Sequence, residues 1–393
     1  MAKLIEITGK ALSGEWGNDD EAGNGIPVLR TTNFTNEGII NYNNVVTRDI
    51  AHKDLSQKYL KPGDIILEKS GGSDKQPVGR VVFYDGEPNK YLFNNFTGVL
   101  RIRNKDTWYP RYVFYALYAN YLKGGTRRYE NKTTGLHNLK TDQYVQDFAI
   151  QEQPLEHQQL VVSKLDKIAK LIALRKEQLA KLDQLLKSRF IELFGDSVTN
   201  SMGWATDTVI GVCDDIYGGG TPSKSHPEYY ENGDIPWVSS KDMKTDVLYD
   251  SQIKINQLGV DNSTAKMVPI KSVIMVIRSG ILKHTLPVAI NAVPITVNQD
   301  LKVFIPSKRI LSIFLMHQFK MLEKDILSGV RAVTADNIEF DSLKKREIIV
   351  PPMELQEQFA AFVEQADKSK LAIQQSLDKL ELLKKSLMQE YFG

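Results

Sequence analysis

The chain reads SRFIELFG at residues 188–195 and closes with SLMQEYFG at residues 386–393. A shared ending at two places calls for a search for an internal repeat before any local reading. The match runs upstream without a gap. At a shift of 198 residues, Pro154, Glu156, Gln158, Lys170, Leu179, Lys181, Leu182, Leu185, Lys187, Ser188, Glu192, Phe194 and Gly195 each meet the same residue within 352–393. Identities alone could reflect shared helix composition, so the spacing decides. Steps of four and three from Val161 reach Leu165, Ile168, Ile172, Arg175, Leu179, Leu182, Leu186, Arg189 and Leu193, apolar except at the two arginines. The same steps from Phe359 reach Val363, Ala366, Lys370, Ile373, Leu377, Leu380, Lys384, Leu387 and Tyr391. Each copy begins after a proline and contains no glycine or proline until its closing Phe-Gly, which suits a helix entrance and a helix stop.

Two helices of about 40 residues would each be ~60 Å long. A chain-internal pair with matched stripes packs most economically as an antiparallel coiled coil, its seam carried by Leu165, Ile172, Leu179 and Leu186 against Val363, Ile373, Leu377 and Leu387. A seam to another subunit fits the same pattern, as do two long surface helices docked on their domains.

Removing the helices from the 393 residues leaves two blocks of nearly equal length, each ample for its own core. The expected organisation is a first domain over 1–153, a spacer helix over 154–195, a second domain over 196–351 and a second spacer helix over 352–393. With 42% hydrophobic and 25% charged residues the composition is that of a globular protein. No apolar run approaches bilayer length and MAKLIEITGK lacks a signal-peptide core, so a cytoplasmic location and no membrane partner are expected. The single cysteine, Cys213, excludes a disulfide framework and a cysteine-rich zinc site. Its neighbours Asp214 and Asp215 would raise its thiol pKa, so it reads as a buried structural residue. The net charge of +2 says little as a sum, because a nucleic-acid face needs local basic patches.

Both blocks read as mixed α/β, with short Val-, Ile-, Phe- and Tyr-rich strands broken by Gly, Asn and Pro turns. NGIPVLRTTNF (24–34), KPGDIILEKSGG (61–72) and VGRVVFY (78–84) in the first block are answered by GDIPWVSSKDM (233–243), IKSVIMVIRSG (270–280) and LPVAINAVPITVNQDLKVFI (286–305) in the second. An Ile-Pro opens one strand, a second strand runs into Ser-Gly, and a third follows. Each block then has a helix-like stretch and a basic, glycine-containing loop, KGGTRRYENKTTGLHNLK (123–140) and SGVRAVTADNIEFDSLKKR (328–346).

These features resemble the specificity subunit of type I restriction-modification systems along the whole chain. The residues that carry the resemblance most are GGGTPSKSHPEYYENGDIPWVSSKDM (218–243), the PLEHQ and PMELQ helix entrances and the two Phe-Gly exits. The resemblance implies an α+β fold of two similar target recognition domains in a pseudo-two-fold repeat, separated by two helices that set their spacing. It implies that each domain reads one half of a bipartite double-stranded DNA sequence. The partners implied are two methyltransferase subunits and restriction/translocase subunits. Those partners would use S-adenosylmethionine and, for restriction, ATP and Mg, with no cofactor bound by this chain. The first block departs from the pattern, having SGEWGNDDEAGNG (13–25) where the second has its Gly-Gly-Thr-Pro entry.

Reading DNA needs side chains that reach base edges, chiefly Arg, Lys, Asn and Gln, and others that hold phosphates. The candidates at strand ends are Arg30, Thr31, Asn33, Lys69, Ser70, Arg127, Arg128, Tyr129 and Lys132 in the first block. In the second they are Thr221, Ser223, Lys224, Ser239, Lys241, Arg278, Ser279, His284 and Arg331. Signs of catalysis are missing: neither an Asn-Pro-Pro-Tyr-like methyltransferase tetrad nor a phosphate-cradling glycine loop is present, and Gly218-Gly219-Gly220 precedes Thr-Pro rather than a helix. Asp64, Glu68 and Lys69 lack the spacing of a metal nuclease and read as a turn and a surface pair. The chain is therefore expected to bind and position, with no catalytic residue and no metal of its own. A coiled-coil scaffold with two protein-binding domains is the rival reading.

Overall fold

The two long stripes become two continuous helices, Leu155–Phe194 and Met353–Phe392. The computed structural model describes all residues except 52–53, 134–135, 330 and 333–335, and only the backbone of 132–133, 331–332 and 336. Every position on both four-three stripes is buried or half-buried, including Arg175, Arg189, Lys370 and Lys384. The chain divides into two compact units, residues 1–176 with 375–393, and residues 177–374, so each unit takes one block and part of each long helix.

In the first unit the central strand Ile65–Glu68 is buried at all four positions, which explains the apolar run Ile65–Leu67. It lies between Thr97–Leu100 and Val81–Phe83, and Leu12–Ser13 completes an antiparallel sheet of four. A second sheet orders Asn18–Asp19, Val46–Asp49, Ile26–Leu29 and Leu92–Phe93, the last pair parallel. The helix Pro110–Leu122, with proline at its first turn, covers the Val81–Phe83 side.

The second unit repeats this plan. Val273–Val276, again buried throughout, lies between Leu301–Pro306 and Val288–Asn291, with Cys213–Gly218 and Val247–Leu248 at the edges. Ile235–Val238 pairs in parallel with Thr296–Val297, as Ile26–Leu29 pairs with Leu92–Phe93, and the helix Ser312–Met321 covers the sheet.

The two helix entrances show why the repeat retained its glutamines. Gln158, 1% exposed, accepts the Tyr109 N–H at 2.9 Å through Oε1 and donates through Nε2 to the carbonyls of Thr107 and Gln153, both at 2.8 Å. Gln356, fully buried, accepts the Leu311 N–H at 2.8 Å and donates to the carbonyls of Arg309 at 3.2 Å and Pro351 at 2.8 Å. One side chain thus bonds the start of a long helix to the start of the helix that covers the sheet, and supplies partners to backbone groups that are otherwise left open at helix ends.

Inside each unit the long helices run antiparallel. In the first, Lys164 Nζ donates to the Tyr391 hydroxyl at 3.1 Å, Lys176 faces Glu381 at 3.5 Å, and Tyr112 packs its ring 5.1 Å from that of Phe392. In the second, Lys370 pairs with Asp183 at 2.6 Å and Phe359 meets Phe190 and Phe194 at ring distances of 5.3 and 5.7 Å, with Phe314 completing the cluster. Two polar breaks in the stripes are thereby partnered: Lys370 by Asp183, and Lys384 by the Tyr118 ring 5.4 Å away.

Candidate nucleic-acid interface

In both units the loop that follows the Ile-Pro strand is closed the same way. Asn33 Oδ1 accepts the Arg30 N–H at 2.9 Å, and Asp242 Oδ2 accepts the Ser239 N–H and hydroxyl, both at 2.8 Å. The parallel strand then ends in an asparagine tied to this loop's base: the Asn94 N–H donates to the Leu29 carbonyl at 3.0 Å, and the Asn298 N–H to the Val238 carbonyl at 2.9 Å.

A turn follows whose last carbonyl receives two N–H groups from the end of the central strand. Phe96 O accepts from Lys69 at 2.8 Å and Ser70 at 3.2 Å; Asp300 O accepts from Ile277 at 2.9 Å and Arg278 at 3.3 Å. These bonds equate Ser70 with Arg278, one residue away from the alignment that the two Ser-Gly dipeptides suggest. Thr97 opposite Glu68 and Leu301 opposite Val276 give the same register.

A hairpin completes each set. Glu130–Thr133 and Leu136–Leu139 dock on Ser70–Gly72 through Asn138 opposite Ser70. Arg331–Ala332 and Asp336–Asn337 dock through Asn337 opposite Arg278. Each unit therefore gathers three chain segments that carry sequence candidates, plus the turns 94–97 and 298–301, which carry none.

The individual candidates divide by their surroundings. Arg127 and Arg128 are exposed, Arg128 lying 4.8 Å over the Tyr129 ring. Lys224, Lys241 and His284 are exposed too. Arg278, 49% exposed, holds Asp300 through Nε at 2.7 Å and Nη2 at 2.6 Å, which fixes the guanidinium on one edge. Thr221 bonds Gln299, joining the Gly-Gly-Thr-Pro entry to the turn 298–301, and Trp237 Nε1 donates to the Gly220 carbonyl at 2.9 Å. Ser223 bonds Ser225 at 2.7 Å, and Ser279 caps the short helix Gly280–Lys283. Arg30, Thr31, Lys69 and Ser70 are half-buried, and burial pushes the Lys69 ammonium below its ordinary pKa against the opposing pull of Asp142. The side chains of Lys132 and Arg331 lie outside the described residues.

Two candidates have structural work. Asn33 is 1% exposed and its amide also donates to the Asn41 carbonyl at 3.0 Å, so it shapes the loop. Tyr129 is 3% exposed, edge-on to Tyr144 at 5.2 Å, and belongs to the core. Two carboxylates read apart from the DNA candidates have different outcomes: Asp64 does close a turn, accepting the Lys61 N–H at 2.8 Å, whereas the surface-pair reading of Glu68 with Lys69 is corrected. Both are buried: Asp64 takes Arg101 in two bonds of 2.8 and 2.7 Å, and Glu68 takes Arg80 at 3.1 and 2.7 Å. Arg80 continues to the Thr31 and Phe34 carbonyls at 3.2 and 3.3 Å, so the Glu68 pair anchors the 30–34 loop. A buried carboxylate needs such a partner, and losing one member costs about 3–5 kcal/mol. Cys213 is half-buried, its thiol pushed up to about 12 by burial and then by Asp214.

The chain is 34% identical over 211 residues to a type I restriction enzyme specificity subunit of Escherichia coli, covering 53% of this chain and 50% of that one. It is 31% identical over 161 residues to a type I restriction enzyme specificity subunit of Methanocaldococcus jannaschii, covering 39% and 35%. The matched stretches thus span half or less of these curated relatives. The fold is similar to the crystal structure of a type I restriction-modification system S subunit from M. genitalium, with a TM-score of 0.60 at 12% identity over 100% of this chain and 95% of that one. The family model described as type I restriction modification DNA specificity domain matches twice, at residues 2–184 and 202–382, one match for each half of the repeat. The chain belongs to the type I restriction modification DNA specificity domain family.

Proposed function

We propose that this chain is the DNA-reading, non-catalytic subunit of a type I restriction-modification complex, and that each half reads one part of a split target in double-stranded DNA. The observation that carries this is the duplicated convergence: a capped loop, a strand end, a turn and a hairpin held by matching backbone bonds in both units, with exposed arginines and lysines on or beside them. Two copies of one recognition set in one chain suit a bipartite site. The reading regions are residues 1–153 and 196–351. The helices over 154–195 and 352–393 pack as a coiled coil that fixes the spacing, and they offer surface to two methyltransferase subunits, which restriction/translocase subunits join. Methyl transfer from S-adenosylmethionine and ATP- and Mg-dependent cleavage belong to those partners. Arg127, Arg128, Lys132, Lys224, Lys241, Arg278, His284 and Arg331 meet DNA directly; Arg30, Thr31, Lys69, Ser70, Thr221, Ser223, Ser239 and Ser279 shape or flank the contact. The complex works in the cytoplasm; no described helix is long and apolar enough to cross a membrane.

The test is selection from a pool of randomised duplexes by the chain in complex with its methyltransferase partner. A split motif is expected, bound with an affinity that falls steeply as salt rises. Arg127→Glu with Arg128→Glu should weaken binding, and selection of no sequence by a stable complex would refute the proposal.

A further inference from the structure

Phe96 is an apolar ring set among polar recognition loops. It is 53% exposed and, among the described residues, enters no aromatic ring pair and no cation–π contact. Its backbone is held from three sides. The Phe96 carbonyl takes the N–H groups of Lys69 and Ser70, the Thr97 N–H returns to the Asn94 carbonyl at 3.0 Å, and Asn94 is tied to Leu29 at the base of the 30–34 loop. These bonds fix the point on the chain from which the ring projects. Single exposed apolar residues are common on protein surfaces and need no purpose, so the second unit decides the matter.

The residue equivalent to Phe96 there is Asp300, defined by the same bifurcated carbonyl. Its carboxylate holds the guanidinium of Arg278, and Arg278 is the equivalent of Ser70. One backbone frame therefore carries two different pairs. In the second unit a carboxylate orients an arginine; in the first, a small serine stands beside a bare aromatic ring. In the second unit the side chain at position 300 contacts the strand-end residue that pairs with Asn337 of the hairpin, and in the first unit the backbone of Phe96 is bonded to Ser70, which pairs with Asn138 of its hairpin.

Resting on the DNA-reading proposal, we infer that Phe96 is a stacking residue: its ring packs against a base of the half-site read by the first domain, while the second domain reads at the equivalent point through Arg278 held by Asp300. An aromatic face stacks on any base and can wedge a base step open, whereas an arginine edge pairs with guanine. The first half-site is accordingly read at this point through step deformability, the second through a base edge.

The experiment selects randomised duplexes with the wild-type complex and with Phe96→Ala, Phe96→Trp and Asp300→Ala, and then measures affinity for the selected wild-type duplex. Phe96→Ala should bind roughly tenfold more weakly. It should lose preference at adjacent base pairs in one half of the motif only, with the salt dependence unchanged because no phosphate contact is removed. Phe96→Trp should restore both, and Asp300→Ala should blur the other half alone. Wild-type affinity and motif in Phe96→Ala, or a loss spread equally over both halves, would overturn the inference. If the wild-type complex selects no motif, the DNA-reading proposal itself fails and this inference falls with it.

Discussion

Replacing Gln356 with methionine keeps the length and volume of the side chain and removes all its hydrogen bonds. The site is fully buried, so water cannot take the place of the lost partners. The Leu311 N–H, accepted at 2.8 Å, loses its acceptor, and the carbonyls of Pro351 and Arg309 lose a donor. Each buried group left unpaired costs about 1–3 kcal/mol. Carbonyls tolerate this better than N–H groups, so the sum should be about 3–5 kcal/mol, less than three full penalties because the losses share one site. Denaturant unfolding followed by Trp204 and Trp237, both in the second unit, should show that loss, with the first unit's Trp108 transition unmoved. Hydrogen exchange adds a local readout: the Leu311 amide should lose its protection. Gln158→Met should produce the mirror result, with Tyr109 deprotected and Trp108 reporting. A change within about 0.5 kcal/mol, with the Leu311 amide still protected, would refute the account of the helix entrances.

Other expectations concern titration and spacing. Cys213, with its thiol pushed from 9.0 up to about 12, should hold on the order of 1000-fold less thiolate at pH 8 than in the unfolded chain and alkylate correspondingly more slowly; equal rates would contradict its burial. His317 is held neutral to about pH 3 by burial, with Lys320 and Lys370 opposing its charge and Asp246 favouring it. Its folded pKa lies below the unfolded value of 6.5, so the unfolded chain takes the proton first. The stability is intact above pH 6.5 and falls by up to about 1.4 kcal/mol per pH unit as pH drops from 6.5 toward 3. His317→Leu should flatten that slope between pH 7 and 5, and an unchanged slope would rule out His317 as its source. Inserting four residues after Gln178 should change the length of the unread spacer between half-sites and leave each half as it was; an unchanged spacer would count against the helices as a ruler.

The long helices were legible because two independent signals, a gapless repeat and a four-three stripe, fall on the same residues. The stripe was read with lysine and arginine as breaks, and the structure keeps even those positions half-buried, since Lys370 and Lys384 hold their long stems in the seam and find partners there. The glutamines were visible as repeat identities, but their role was not. Their partners Tyr109 and Leu311 lie 49 and 45 residues away, and no local pattern encodes such a bond. Candidates picked by residue type at strand ends fall on segments that converge in each unit, but residue type did not anticipate the burial of single side chains. Asn33 and Tyr129 are polar by type yet are buried by tertiary packing, and Phe96 was passed over because an apolar residue in a loop carries no chemical signature. The one-residue offset between Ser70 and Arg278 was hidden by the repeated Ser-Gly, and only the hydrogen bonds to Phe96 and Asp300 reveal it.

The central claim, two reading domains in one chain, is tested most directly in cells. DNA from cells expressing this chain with a type I methyltransferase partner, and from cells lacking either one, would be mapped for modified adenine by long-read sequencing. A modified adenine in each half of a split motif, present only when both proteins are expressed, is the predicted result. A single unsplit motif, or a stable complex that leaves no motif at all, would contradict it.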